Sequence, residues 1–119
     1  MINFISDIRA LLSDCGAPVH APRPMDFMQF PCILLSETAN EVYARADGQP
    51  HLHEVEYTLE SWAKSLSETH ALSAQLDEKL SSLGFSRTYC CDLFDTDTQA
   101  HRRVMRYRAL CDANRTLTQ

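Results

Sequence analysis

The spacing of apolar residues predicts two amphipathic helices. Before Gly16, apolar side chains recur on one helical face at Phe4, Ile5, Ile8, Leu11, Leu12 and Cys15. Gly16 is a typical helix end. A second helix is predicted to start after Ser65, because Ser65 and Glu68 have the spacing of a capping box, and to stop at Gly84. Its apolar face consists of Leu72, Leu76, Leu80 and Leu83.

Between these helices the pattern changes to that of a β-hairpin. Residues 32–46 have extended character, and the Asp-Gly pair in the sequence Asp47, Gly48, Gln49, Pro50 is a strong turn signal. From His53 to Ala63 apolar and polar residues alternate, which predicts a half-buried strand. The long hairpin therefore has its turn at Asp47 and Gly48.

The remaining segments are predicted from weaker signals. Four prolines interrupt residues 17–31, for which we predict a short strand near Val19 and then an extended apolar loop. A closing hairpin is predicted from strands over 85–94 and 100–111, joined by a polar turn over 95–98. Residues from Asp112 onward are expected to form a frayed end.

This order of elements predicts the α+β class: a mixed, mainly antiparallel β-sheet with a long hairpin, packed against two α-helices. With 119 residues, 45% hydrophobic residues, three glycines and five prolines, we expect one domain over residues 1–119 and one modest core. The sequence shows neither an apolar run of membrane-span length nor the start of a signal peptide. We therefore expect no membrane association and action in the cytoplasm where the chain is made.

Charge and cysteine content exclude some classes of function. The net charge of −5 argues against a conventional duplex-binding domain, which gains affinity from a basic face. Five scattered cysteines, an odd number, do not suit a disulfide framework, so we expect reduced and mostly buried thiols. Cys90 and Cys91 are adjacent, and strand alternation predicts that only one is buried.

The candidates for catalysis or metal binding are weak. His51 and His53 share a strand face and in principle join Cys90 or Cys91 in a zinc site, but their spacing favours two exposed histidines at a polar hairpin tip. The acids at 92, 95 and 97 resemble a turn more than a nuclease centre. The sequence contains neither a phosphate-binding glycine loop nor a GxSxG elbow. We therefore expect no catalytic residue, no metal and no cofactor.

Two charged stripes are more informative. Both lie opposite the apolar faces of their strands: Glu54, Glu56 and Glu60 on one, and Arg102, Arg106 and Arg108 on the other. They are either solvated faces, including a cross-strand ladder within the chain, or a contact between subunits or partners. The candidate interface consists of these six residues with Asp47 and Gly48.

The path from Pro31 to Cys111 resembles the tail-completion (tail-terminator) proteins of siphophages and related prophages. The resemblance lies in the order of elements, which runs through FPCILLSETANEVYARADGQPHLHEVEYTLESWAK, SLSETHALSAQLDEKLSSLGF and HRRVMRYRAL. The cysteine content and the proline-rich segment over 17–31 depart from that pattern.

This resemblance implies a structural virion protein rather than an enzyme. Six copies would form a ring that caps the tail tube and meets the head connector, after assembly in the cytoplasm of the bacterial host. The implied partners are other copies of the chain, the tail tube protein and the head-tail connector protein. DNA would pass through the lumen without specific binding, which an acidic balance suits.

Three alternatives to this function remain at the level of sequence. One is a head-completion or connector protein of the same virion. Another is a small enzyme that uses the cysteines and histidines named above. The third is an acidic inhibitor module whose glutamate-rich strand mimics nucleic acid.

Overall fold

The computed structural model describes residues 2–22, 29–46, 48–115 and 117–118. The elements are helix α1 (Ile5–Leu11), strand β1 (Val19–His20), β2 (Cys32–Ala46), β3 (Gln49–Ala63), helix α2 (Leu66–Leu83), β4 (Ser86–Asp95), β5 (Ala100–Asp112) and β6 (Leu117–Thr118). The two helices, the short strand near Val19, the long hairpin and the closing hairpin are confirmed.

Within the described residues the strands form one sheet in the order β1-β2-β3-β5-β4, with β6 paired to β5. Among the described strands, β1 and β2 alone pair in parallel, and the other neighbours are antiparallel. Both helices contribute buried residues to the cluster that covers one face of this sheet. The predicted α+β class, with a mixed and mainly antiparallel sheet, is confirmed.

Local signals determine the ends of α2. The Ser65 side chain accepts a hydrogen bond from the Glu68 N–H at 3.2 Å, which satisfies a donor of the first turn. At the other end Gly84 has φ +111°, a left-handed conformation that favours glycine, and its N–H is directed to the carbonyl groups of Leu80 and Ser81. The capping serine and the terminating glycine are both confirmed.

The main core lies between the helices and the sheet. Leu72, Leu76 and Leu80 of α2 pack there with the inner side chains of β3 and β5. From α1, the buried side chains are Ile8 and, just after the helix, Leu12. Phe4 packs edge-on against Phe85, with ring centroids 5.7 Å apart. The predicted apolar faces of both helices are therefore the faces that are buried.

The expected single core needs correction. A second apolar cluster lies on the opposite face of the sheet and contains Cys32, Leu34, Trp62 and Ala100, with Phe30 packed against it. The Phe30 and Trp62 rings stack at a centroid distance of 6.2 Å. The pattern of β3 concealed this cluster because Trp62 follows four polar residues on the same face, at positions 54, 56, 58 and 60.

The expectation of a frayed end from Asp112 onward was wrong for part of that segment. Leu117–Thr118 forms β6 beside Cys111 and Leu110 of β5. Leu117 packs against the main core and lies so close to Gly84 that a Cβ there would be 2.9 Å from its Cδ1. This packing stabilises the two-residue strand β6. No local pattern in the sequence predicts the strand.

Candidate interface on the open face of the sheet

The two charged stripes lie on the face of the sheet away from α1 and α2, called here the open face. Their neighbours in sequence point the other way: Val55, Tyr57 and Leu59 of β3 and Met105, Tyr107 and Ala109 of β5 are buried in the main core. Strand β3 pairs with β5, with Glu56 opposite Arg108 and Trp62 opposite Arg102. The structure thus brings all six predicted charged residues onto one surface.

Four of the six charges pair with each other within the chain. The Arg108 guanidinium donates hydrogen bonds to both carboxylate oxygens of Glu54. The Nε–Oε1 distance is 2.7 Å and the Nη2–Oε2 distance is 3.3 Å. Arg102 binds Glu60 Oε1 at 3.2 Å. These hydrogen bonds lower the pKa of Glu54 and raise the pKa of Arg108, since each partner favours the charged form of the other. The cross-strand ladder is therefore present, as one of the two interpretations predicted.

The other two charges, Glu56 and Arg106, have no ion pair in the described residues, although Glu56 lies opposite Arg108 and interacts with its charge. Arg106 instead lies over the exposed ring of Tyr89 on β4, 4.7 Å from the centroid. An exposed arginine on an exposed aromatic ring is typical of protein contact surfaces, where arginine and tyrosine are enriched.

Each arginine of the stripe lies over an aromatic ring. Arg102 lies 5.2 Å from the Trp62 centroid, and Arg108 lies 6.0 Å from that of Tyr43. The sequence pattern did not reveal these aromatic neighbours, because Tyr43, Trp62 and Tyr89 come from three different strands. Trp62 carried a signal: a large aromatic residue among the polar positions of an alternating strand.

The hairpin turn is described only in part. Asp47 lies outside the described residues. Gly48 is exposed, has φ +76°, and would have nothing within 4 Å of an added Cβ. The pairing of β3 with β5 starts at Leu52, so β3 begins three residues before β5 joins it. The role of this turn in a contact stays a prediction.

Among the described side chains, the histidines and cysteines do not come together as a metal site. No group of three or more histidine, cysteine, aspartate or glutamate side chains suitable for a metal occurs in the part of the chain that the structure describes. His53 lies opposite Cys111, and the side chain of His51 lies outside the described set. The five cysteines are free thiols, and Cys15, Cys32 and Cys111 are buried.

The prediction for Cys90 and Cys91 was partly wrong, because both are half-buried. Cys90 packs against the main core and accepts a hydrogen bond from Arg103 Nε at 3.0 Å. Strand β4 lies at the edge of the sheet, where neither face is covered completely. The alternation puts the two thiols on opposite sides, as expected, but the edge leaves both partly accessible.

The acids of the closing hairpin have structural partners. Asp92 binds His70 Nε2 at 3.1 Å and lies 3.8 Å from Arg103. Asp95 accepts hydrogen bonds from the N–H and hydroxyl of Thr98, at 2.8 and 2.5 Å. These bonds lower the pKa of Asp95. The predicted turn is confirmed, and these two acids point to different partners rather than to one centre.

Comparison with known proteins adds a family. The family model described as "Tail completion protein gp17" matches residues 5–112, which is most of the chain. The matched range contains both helices and the strands β1 to β5. The search of curated proteins found no match. In the described residues, no helix is both long and apolar enough to cross a membrane.

Proposed function

The chain belongs to the phage tail-completion protein family, and from this premise we propose that six copies form a ring that caps the tail tube and joins it to the head connector. The observation that carries the proposal is the family match over residues 5–112. A tail-completion protein is a structural component of the phage tail. Its partners in the proposal are its own copies, the tail tube protein and the connector protein.

The open face supports an assembly function. No described helix covers it, and it carries charged and aromatic side chains on four neighbouring strands, β2, β3, β5 and β4. Among the described residues, Glu56 and Arg106 are the members of the two stripes without an ion pair, whereas Glu54 pairs with Arg108 and Glu60 pairs with Arg102. We assign the subunit or partner contact to this face, together with the turn at Asp47 and Gly48.

The charge balance suits a conduit for DNA. With a net charge of −5, a ring of this chain repels the phosphate backbone more than it attracts it. DNA then passes through the lumen without specific binding. The proposal needs neither a catalytic group nor a metal.

The test mixes purified protein with isolated tail tubes that lack a terminator. Negative-stain images count capped tube ends, and native mass spectrometry weighs the assembled ring. Arg106→Glu should retain the fold by circular dichroism, because an exposed cation-π contact contributes only about 0.5–1 kcal/mol to stability. It should lower the capping affinity about fivefold if one like-charge contact costs about 1 kcal/mol.

Arg106→Lys is the matched control, since it keeps the charge and removes the planar guanidinium. Arg108→Glu is less suitable, because it also breaks the bond to Glu54 within the chain. Added salt should weaken capping by the wild-type protein in the same direction as the reversal. Normal capping by folded Arg106→Glu protein would remove the open face from the contact, and wild-type protein that never caps tubes would reject the ring itself.

A further inference from the structure

The charges of the open face form two neighbouring columns of opposite sign. Strand β3 carries the three glutamates of the charged stripes, and β5 carries the three arginines. The register places the two columns side by side, with Glu56 opposite Arg108 and Thr58 opposite Arg106. The acidic and the basic column therefore occupy the same levels along the strands.

Apolar side chains flank these charges on both sides. On β4, Tyr89, Cys91 and Leu93 lie on the open face, because each pairs with an open-face residue of β5. Tyr89 and Leu93 are exposed. On β2, Cys32 and Leu34 belong to the second apolar cluster on the same face. From β2 to β4 the columns are thus apolar, acidic, basic and apolar.

We propose that two free copies of the chain pack open face against open face, about a two-fold axis that runs parallel to the strands between β3 and β5. This rotation reverses the order of the columns and keeps each level along the strands. Strand β3 of each copy then lies over β5 of the other, and β4 lies over β2. Such a contact uses the same patch on both copies, as two-fold dimers do. The inference concerns the protein before assembly and takes from the proposed function only the assignment of the open face to the assembled contact.

Opposite charges face each other across this contact. Residues that are paired within one sheet, such as Glu56 and Arg108, also face each other between the two copies. Arg108 uses Nε and Nη2 for Glu54, and since a guanidinium has five N–H donors, three lie outside this pair and can reach Glu56 of the second copy. Arg106 lies over Thr58, between two glutamates of the second copy. Each basic column is therefore covered by an acidic one.

The apolar columns also match. Leu93 is level with Cys32 through Arg102 and Trp62, so Leu93 of one copy lies over the second apolar cluster of the other copy. Sheets packed face to face in aligned orientation lie about 10 Å apart and cross at about −30°. Burial of these apolar side chains supplies affinity, and the charges set the orientation.

The charge pattern favours this axis over a two-fold axis that crosses the strands. An axis across the strands keeps the columns in the same order, so β3 would lie over β3 and β5 over β5. Glutamates would then face glutamates and arginines would face arginines. Because like charges in a contact are unfavourable, the axis parallel to the strands is selected.

The dimer covers the surface that the proposed function assigns to assembly. A copy must therefore leave the dimer before it joins a ring. The dimer thus keeps free copies out of rings until a tube end supplies a stronger contact.

Sedimentation equilibrium without tail tubes tests the dimer. The wild-type mass should approach twice the chain mass of 13.5 kDa and fall on dilution. Arg106→Glu should raise the dissociation constant about 25-fold, because two-fold symmetry repeats the fivefold effect of one like-charge contact. Arg9→Glu is the matched control: it changes the net charge equally on α1, outside the contact, and should stay within twofold of wild type.

Two leucines of similar exposure test the apolar columns. Leu93 on β4 is 42% exposed and Leu66 at the start of α2 is 45% exposed. Leu93→Lys puts a charge over the second apolar cluster and should raise the dissociation constant at least tenfold. Leu66→Lys puts the same charge on a helix outside the contact and should leave it within twofold of wild type.

A photocrosslink determines the axis. Tyr89 is level with Ser36 through Arg106 and Thr58. With p-benzoylphenylalanine at position 89, irradiation of the dimer should therefore join β4 to a peptide within 32–38 of the other copy. An axis across the strands would give a crosslink within 86–95 instead. Mixtures of isotope-labelled and unlabelled protein show that the two peptides come from different copies.

The outcomes separate this inference from the ring. Wild-type protein that keeps the mass of one chain at millimolar concentration would overturn the dimer and leave the ring proposal intact. A crosslink within 86–95, or equal dissociation constants for Arg106→Glu and Arg9→Glu, would overturn the face-to-face contact. If the dimer forms as expected but wild-type protein never caps tail tubes, the ring is rejected and the dimer stands as a property of the free protein.

Discussion

The hydroxyl of Tyr57 holds the first residues of the chain to the centre of the sheet. It accepts a hydrogen bond from the Phe4 N–H at 2.8 Å in a buried setting, and it lies 3.4 Å from Glu37 Oε1. Tyr57 is fully buried and Phe4 is 5% exposed, so little water reaches the donor. Tyr57→Phe removes only the oxygen and leaves the ring in place.

The expected cost follows from the donor that loses its partner. A buried N–H without an acceptor costs about 1–3 kcal/mol, and the packing of the ring is retained. Tyr57→Phe should therefore lower the free energy of unfolding by about 1–3 kcal/mol. Tyr43→Phe is the matched control: its ring is 55% exposed, and a surface change of this kind stays within about 0.5 kcal/mol.

Urea unfolding gives the free energy of unfolding of both variants. If its slope against urea concentration equals that of the wild type, the denatured state is unchanged by the substitution. Hydrogen exchange at the Phe4 amide is the second readout, because it should become faster in Tyr57→Phe than in wild type. Equal stability of the two tyrosine variants, together with unchanged exchange at Phe4, would refute the view that this bond anchors the N-terminal segment.

Two further predictions concern the core. Leu76→Ala and Leu80→Ala should each lower the free energy of unfolding by about 2–5 kcal/mol, because both leucines are fully buried. The control is Leu66→Ala, because Leu66 is exposed. If all three variants lost the same stability, α2 would not pack through the face that contains Leu76 and Leu80. Burial raises the pKa of Tyr57 to about 12 and the pKa of Cys32 to about 11. Since the unfolded chain then releases these protons first, stability should be complete below pH ~9 and fall as pH rises from there to ~12; urea midpoints that do not change over this range would contradict the assignment.

The sequence determined the elements of this fold because their signals are local. The leucines of α2 repeat with the period of a helix, and β3 alternates with the period of a strand. Ser65 and Gly84 mark the ends of α2 through hydrogen bonds to residues within one turn. The order of these elements was also sufficient to identify the resemblance that the family match over residues 5–112 confirmed.

The tertiary structure decided which distant residues meet. The pairing of Glu54 with Arg108 depends on the register between β3 and β5, which are separated in the sequence by α2 and β4. Register is set by the packing of both strands against one core, so neither strand reveals it alone. The same holds for Arg106 on Tyr89, where a bulge in β4 adjusts the position of the ring.

Trp62 and Leu117 show the same limit for apolar residues. Trp62 follows polar residues on its face of the strand and is buried by Cys32, Leu34 and Ala100 together with Phe30, with Arg102 over its ring. Leu117 lies in a polar tail and gains its place from β5 on one side and Gly84 on the other. Burial of such residues depends on surfaces that exist only after the sheet has formed. A periodic pattern along one segment predicts which face of that segment is apolar, but not what packs against it.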